Sequence, residues 1–60
     1  MDYQEALEIA LGKEKDAVEI YRNFSIEYPT MRDLFEFLMN EEEKHVILIE
    51  KKIAGLNKIY

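Results

Sequence analysis

The sequence contains no cysteine and no tryptophan, and only one histidine, one proline and two glycines in 60 residues. Without cysteine there is neither a disulfide nor a thiolate metal site, so any staple is a metal held by oxygen and nitrogen donors, or a second chain. Cationic residues are scarce as well. Eight Lys+Arg face 13 Asp+Glu, giving a formal net charge of -5, and this balance argues against nucleic acid as the main partner. No apolar run approaches the roughly 18 residues of a membrane span, and the N-terminus has no signal-peptide pattern. The expectation is a cytoplasmic protein with no membrane partner. A chain this short makes one small domain and excludes barrels and doubly wound sheets.

What the sequence does have is apolar residues, 48% of the total, too many for a disordered tail. The single proline marks the only break, Glu27-Tyr28-Pro29-Thr30. Pro29 cannot continue a helix and restricts Tyr28 before it. Asp2 with Glu5 reads as a capped start of one helix, and Thr30 with Asp33 as a capping box for another. Gly55 reads as a C-terminal stop, with Lys51, Lys52 and Lys58 near the negative end of the dipole. Gly12 falls inside the first helix. The reading is a single unit, residues 1–60, with helix 1 over about 2–27 and helix 2 over about 30–56. The short link makes them an antiparallel hairpin.

In helix 1, steps of four and three run through Tyr3, Leu7, Ala10, Glu14, Ala17, Tyr21, Phe24 and Tyr28. This is a heptad stripe, apolar or aromatic except at Glu14. In helix 2 the same steps give Met31, Phe35, Leu38, Glu42, His45, Ile49, Lys52 and Leu56. A second register through Leu34, Leu38, Glu41, His45 and Leu48 fits nearly as well. Val46, Ile47, Leu48 and Ile49 are consecutive and point all round the helix, which one partner helix cannot cover. The expected architecture is therefore all-α: two hairpins paired as a homodimer, or a higher homo-oligomer, into a four-helix bundle.

Glu14, Glu42 and His45 are polar residues on seams that should be buried. Such groups are paired, protonated or bound to metal. Glu14 lies 15 residues before Pro29, Glu42 13 after it and His45 16 after it. With ~1.5 Å of rise per residue, all three stand near one level of the hairpin. A two-fold dimer doubles them to four Glu and two His, the donor set of di-iron and di-manganese carboxylate bundles. Iron or manganese suits these ligands, and zinc also accepts them. Ten of the 60 residues are Glu, so Glu three positions before a lone His is by itself a weak signal. The weight rests on Glu14, the one charge on its stripe, falling level with that pair. Tyr21 stands one heptad beyond Glu14; it is either a core aromatic or a residue that serves the metals by hydrogen bonding or electron supply.

Two segments resemble rubrerythrin-type ferritin-like proteins. Ala6 to Tyr21, ALEIALGKEKDAVEIY, resembles their first iron-binding helix, and Leu34 to Leu48, LFEFLMNEEEKHVIL, their second. The resemblance implies a ferritin-like fold in which Glu14 is a largely terminal ligand, Glu42 bridges two metals, His45 is a terminal ligand and Tyr21 stands beside them. Having one helix pair rather than two, the chain resembles the encapsulated ferritins, which build a di-iron site between subunits and oxidise Fe(II) inside a protein nanocompartment. The implied activity is that of a ferroxidase taking Fe(II) with oxygen or peroxide, in iron storage or detoxification, with a nanocompartment shell as a further partner. Two alternatives stand beside it: a rubrerythrin-like peroxidase or oxidase on the same site, and a metal-free oligomerisation module in which Glu14 pairs with His45 or a lysine. A third is that the 60 residues are a natural truncation or an excised half of a longer protein.

Overall fold

The computed structural model describes residues 1–56. Two 25-residue helices, α1 (Tyr3–Glu27) and α2 (Arg32–Leu56), are joined by a 3-10 turn at Pro29–Met31. Asp2 caps α1 as expected, its carboxylate accepting a hydrogen bond from Glu5 N at 2.8 Å. At the other end, Tyr28 N donates to Phe24 O at 2.8 Å. The start of α2 differs from the capping box read in the sequence. Thr30 lies inside the 3-10 turn, Met31 N donates to Tyr28 O at 2.9 Å, and no hydrogen bond joins Thr30 to Asp33 among the described residues. Pro29 favours this outcome: at the first turn its missing N–H costs nothing and its fixed φ suits a tight turn. Gly55 does not stop α2. No glycine has positive φ among the described residues, and the helix continues to Leu56. Lys58 lies outside the described residues.

The α1 stripe packs as its spacing dictates. Leu7, Ala10, Glu14, Ala17, Tyr21 and Phe24 are half-buried, flanked by Leu11 and Val18. Tyr3, at the open end, is 69% exposed. On α2 the first register holds through Phe35, Leu38, Glu42 and Ile49. His45, Lys52 and Leu56 are exposed, however, and Val46 and Ile53 take their places on the seam. The second register is not the seam: Leu34 and Leu48 are 46% and 61% exposed. Phe35 centres an aromatic cluster near the turn, with ring centroids 5.2 Å from Phe24 and 6.4 Å from both Tyr21 and Tyr28. Such packing, with tilted or offset rings, ties the turn ends of the helices together.

The hairpin is a slab of 50 × 21 × 11 Å, about one helix layer thick. A single layer has no interior, and none of the described apolar residues is buried; the buried residue is Ser25, 8% exposed, whose hydroxyl donates to Arg22 O at 2.7 Å. The chain exposes 4792 Å², against about 4,100 Å² for a compact monomer of this mass. One broad face carries a groove lined by Tyr3, Ala6, Leu7, Ala10, Lys52 and Leu56. Helical steps of four and three from Lys52 continue this face through Leu48, His45, Glu41 and Leu38. The opposite face carries a groove lined by Val18, Val46 and Ile47 with a charged rim, crossed by the Lys15–Glu50 pair at 3.7 Å. Among the described residues no helix is long and apolar enough to cross a membrane.

Gly12 is exposed and helical, and a Cβ there would meet nothing within 4 Å. Gly12→Ala should therefore stabilise the fold by about 1 kcal/mol, read as a higher urea midpoint at fixed protein concentration.

Candidate metal centre

Three side chains converge at mid-height of the seam. Glu14 comes from α1; Glu42 and His45, three residues apart, come from α2. His45 Nδ1 is 3.4 Å from Glu14 Oε2 and 3.6 Å from Glu42 Oε2. One donor atom from each residue lies within 4.8 Å of the others. The heptad stripe puts Glu14 against α2, and the antiparallel register puts Glu42 and His45 opposite it. The Glu41-Glu42-Glu43 run is thus divided by helical phase. Glu42 turns toward α1 with 21% of its side chain exposed, Glu41 bonds Lys44 at 3.2 Å and Glu43 faces solvent.

The electrostatics of this cluster are uncompensated. The cations paired among the described residues belong to other carboxylates: Lys15 to Glu50, Arg22 to Glu19 and Lys44 to Glu41. Glu14 and Glu42 face one imidazole. Glu14 Oε2 is buried and has no hydrogen-bond partner. At 3.4 Å the imidazole is within Coulombic reach of that oxygen but is not aligned to donate to it. A buried polar atom left without a partner is costly until an ion, a ligand or a water answers it.

The donor set fits a divalent metal. Two ligand atoms on opposite sides of one ion, each about 2.1 Å from it, stand about 4.2 Å apart. The observed 4.8 Å envelope closes to that value by small side-chain movement. Mixed carboxylate and imidazole ligation suits iron, manganese or zinc. One chain offers three such side chains, however, fewer than the four to six ligands these ions take. His45 remains half-exposed on the broad face that also bears Leu34 and Leu48, so the open side of the cluster points out of the hairpin.

Tyr21 lies one heptad along α1 from Glu14. It stacks on Phe35 with an interplanar angle of 20°, and its hydroxyl makes no hydrogen bond to Glu14, Glu42 or His45 in the described residues. Val46 was not among the seam residues read from the sequence, although its signal was available: four residues after Glu42, it continues that seam. No other group of three or more His, Asp or Glu donors converges among the described residues.

If the cluster is a metal site, removing one carboxylate should relieve the free chain and cripple binding. Glu14→Gln should leave the metal-free chain at least as stable as the parent and weaken Mn(II) or Zn(II) binding by at least about tenfold, measured by urea unfolding and calorimetric titration. No family model, no curated protein and no solved structure matches the chain, so the functional reading rests on this geometry.

Proposed function

We propose that the hairpin is half of a ferritin-like bundle, and that a second copy completes a two-metal carboxylate centre at which Fe(II) is oxidised by oxygen or peroxide. The observation that carries this is the partnerless Glu14 Oε2, set beside a second carboxylate and an imidazole whose open side faces out of the hairpin. A second copy across that face brings the set to four Glu and two His, the ligands of di-iron carboxylate bundles. Its charge also balances, since four carboxylates offset two divalent ions. The surface supports the pairing. The exposed area in excess of a compact monomer, about 700 Å², is close to the roughly 800 Å² that each partner buries in a standard interface.

Within this reading, the chain's own residues do three things. Glu14 and Glu42 hold Fe(II) by hard oxygen donors. His45 adds a nitrogen ligand and fixes the orientation of the set through its place three residues from Glu42. The flanking apolar residues, closed by the partner, exclude water from the centre. The metals, when bound, supply the one-electron redox couples. The product is ferric iron, for storage or detoxification, as in the encapsulated ferritins that the single helix pair resembles.

A second reading has its own support. His45 at 3.4 Å from Glu14 is the pair that a metal-free oligomerisation module would use. The two readings separate on iron chemistry. Anaerobic addition of Fe(II) followed by air should give ferric absorbance saturating at about one iron per chain, and Glu14→Ala should abolish it. Unchanged assembly with no iron taken up by the parent protein would establish the module instead.

A further inference from the structure

The aromatic cluster at the turn is more than a clasp between helices. It contains two oxidisable side chains seven residues apart, Tyr21 on α1 and Tyr28 at its C-cap, with the rings of Phe24 and Phe35 packed between and beside them. Tyr21 stacks on Phe35 at 6.4 Å with 20° between the planes. Phe35 is 6.4 Å from Tyr28, and Phe24 bridges both at 5.2 Å to Phe35 and 5.9 Å to Tyr28. The four rings form an unbroken array. One end, Tyr21, lies on the seam two helical turns, about 10 Å, from Glu14. The other end, Tyr28, is 47% exposed at the turn.

We propose that Tyr28 is the solvent-facing end of an aromatic relay that carries electrons from outside to the carboxylate–imidazole site by way of Phe35 and Tyr21. This rests on the metal-centre reading above. The chemistry gives the relay a use. Two Fe(II) ions supply two electrons, whereas oxygen needs four to reach water, so hydrogen peroxide accumulates. Peroxide reacting with Fe(II) in turn generates one-electron oxidants within the protein. A phenol can fill such a hole. Tyr28 gives up one electron toward the oxidised site and its hydroxyl proton to water, leaving a phenoxyl radical. A water-soluble one-electron reductant such as ascorbate then returns one electron, water returns the proton, and the phenol is restored. Exposure of Tyr28 supplies both the proton acceptor and access for the reductant, which half-buried Tyr21 lacks. Phe35 and Phe24 are too hard to oxidise to hold the hole themselves; packed in contact, they shorten the gap that the electron must cross between the two phenols.

The ordinary reading of these rings is packing alone, and Tyr28→Phe keeps the packing while removing the oxidisable phenol. The test uses the full chain with Tyr3→Phe and Tyr60→Phe, so that Tyr21 and Tyr28 are the remaining tyrosines. The protein is loaded with Fe(II), mixed with hydrogen peroxide and freeze-quenched for electron paramagnetic resonance, with and without ascorbate. The relay predicts a phenoxyl signal that ascorbate quenches rapidly. Adding Tyr28→Phe should leave iron uptake and thermal midpoint unchanged, move the residual signal to the Tyr21 line shape, and slow its quenching by ascorbate at least fivefold. Normal iron oxidation without a phenoxyl signal, or with quenching unaltered by Tyr28→Phe, would overturn the relay while leaving the metal centre intact. Failure to oxidise iron at all would overturn both.

Discussion

The organising constraint in this protein is the placement of two carboxylates on the seam of a two-helix hairpin, with an imidazole at its edge and no Lys or Arg paired to them among the described residues. Everywhere else the charges follow simple rules. Lys15, Arg22 and Lys44 pair with Glu50, Glu19 and Glu41 on exposed surfaces, where each pair contributes little. At Glu14 the rule is broken. An acceptor oxygen is buried without a donor, in a chain whose small fold has little stability to spare for such a penalty. A divalent ion bound there, as proposed, would remove that penalty and turn the cluster into a staple of the kind left to a chain without cysteine.

The rest of the architecture points the same way. A slab 11 Å thick cannot bury apolar residues on both faces, and a stable domain needs at least two packed layers. The face bearing His45 also bears Leu34, Leu48 and the Ala6–Ala10 groove. The Glu14–Glu42–His45 cluster and one stretch of the uncovered apolar surface therefore open in the same direction, while Ile47 on the opposite face is also exposed. A single event, pairing with a second copy across that face, would answer both deficits. In the proposed dimer the apolar surface would drive association, and the carboxylates would mark the point about which the two copies are related.

Much of this was legible in the residues themselves. The heptad from Leu7 to Phe24 fixed which side of α1 is half-buried, and counting from Pro29 placed Glu14 level with Glu42 and His45. Both are consequences of regular helix geometry, which local sequence specifies well. The features that were not legible depend on the packing of one helix against another. The α2 seam passes through Val46 and Ile53 rather than His45 and Lys52, because two helices in contact settle the phase by side-chain fit, and a helix apolar on several sides leaves that phase open in its sequence. Thr30 offered a capping box, but Pro29 directed the backbone into a 3-10 turn first. Gly55 carried the residue type of a helix stop without the left-handed conformation that makes glycine one. The orphaned oxygen of Glu14 could not be read at all, since it depends on the alignment of an imidazole from the other helix.

The central claim is that two chains share two metals. Native mass spectrometry of the chain, with and without Fe(II) under anaerobic conditions, tests this most directly because it counts protein copies and ions in the same particle. The account predicts dimers, or multiples of dimers, carrying two iron ions per pair of chains, with no iron on isolated single chains. Iron retained by a monomer, or dimers that remain free of iron at saturating Fe(II), would contradict it.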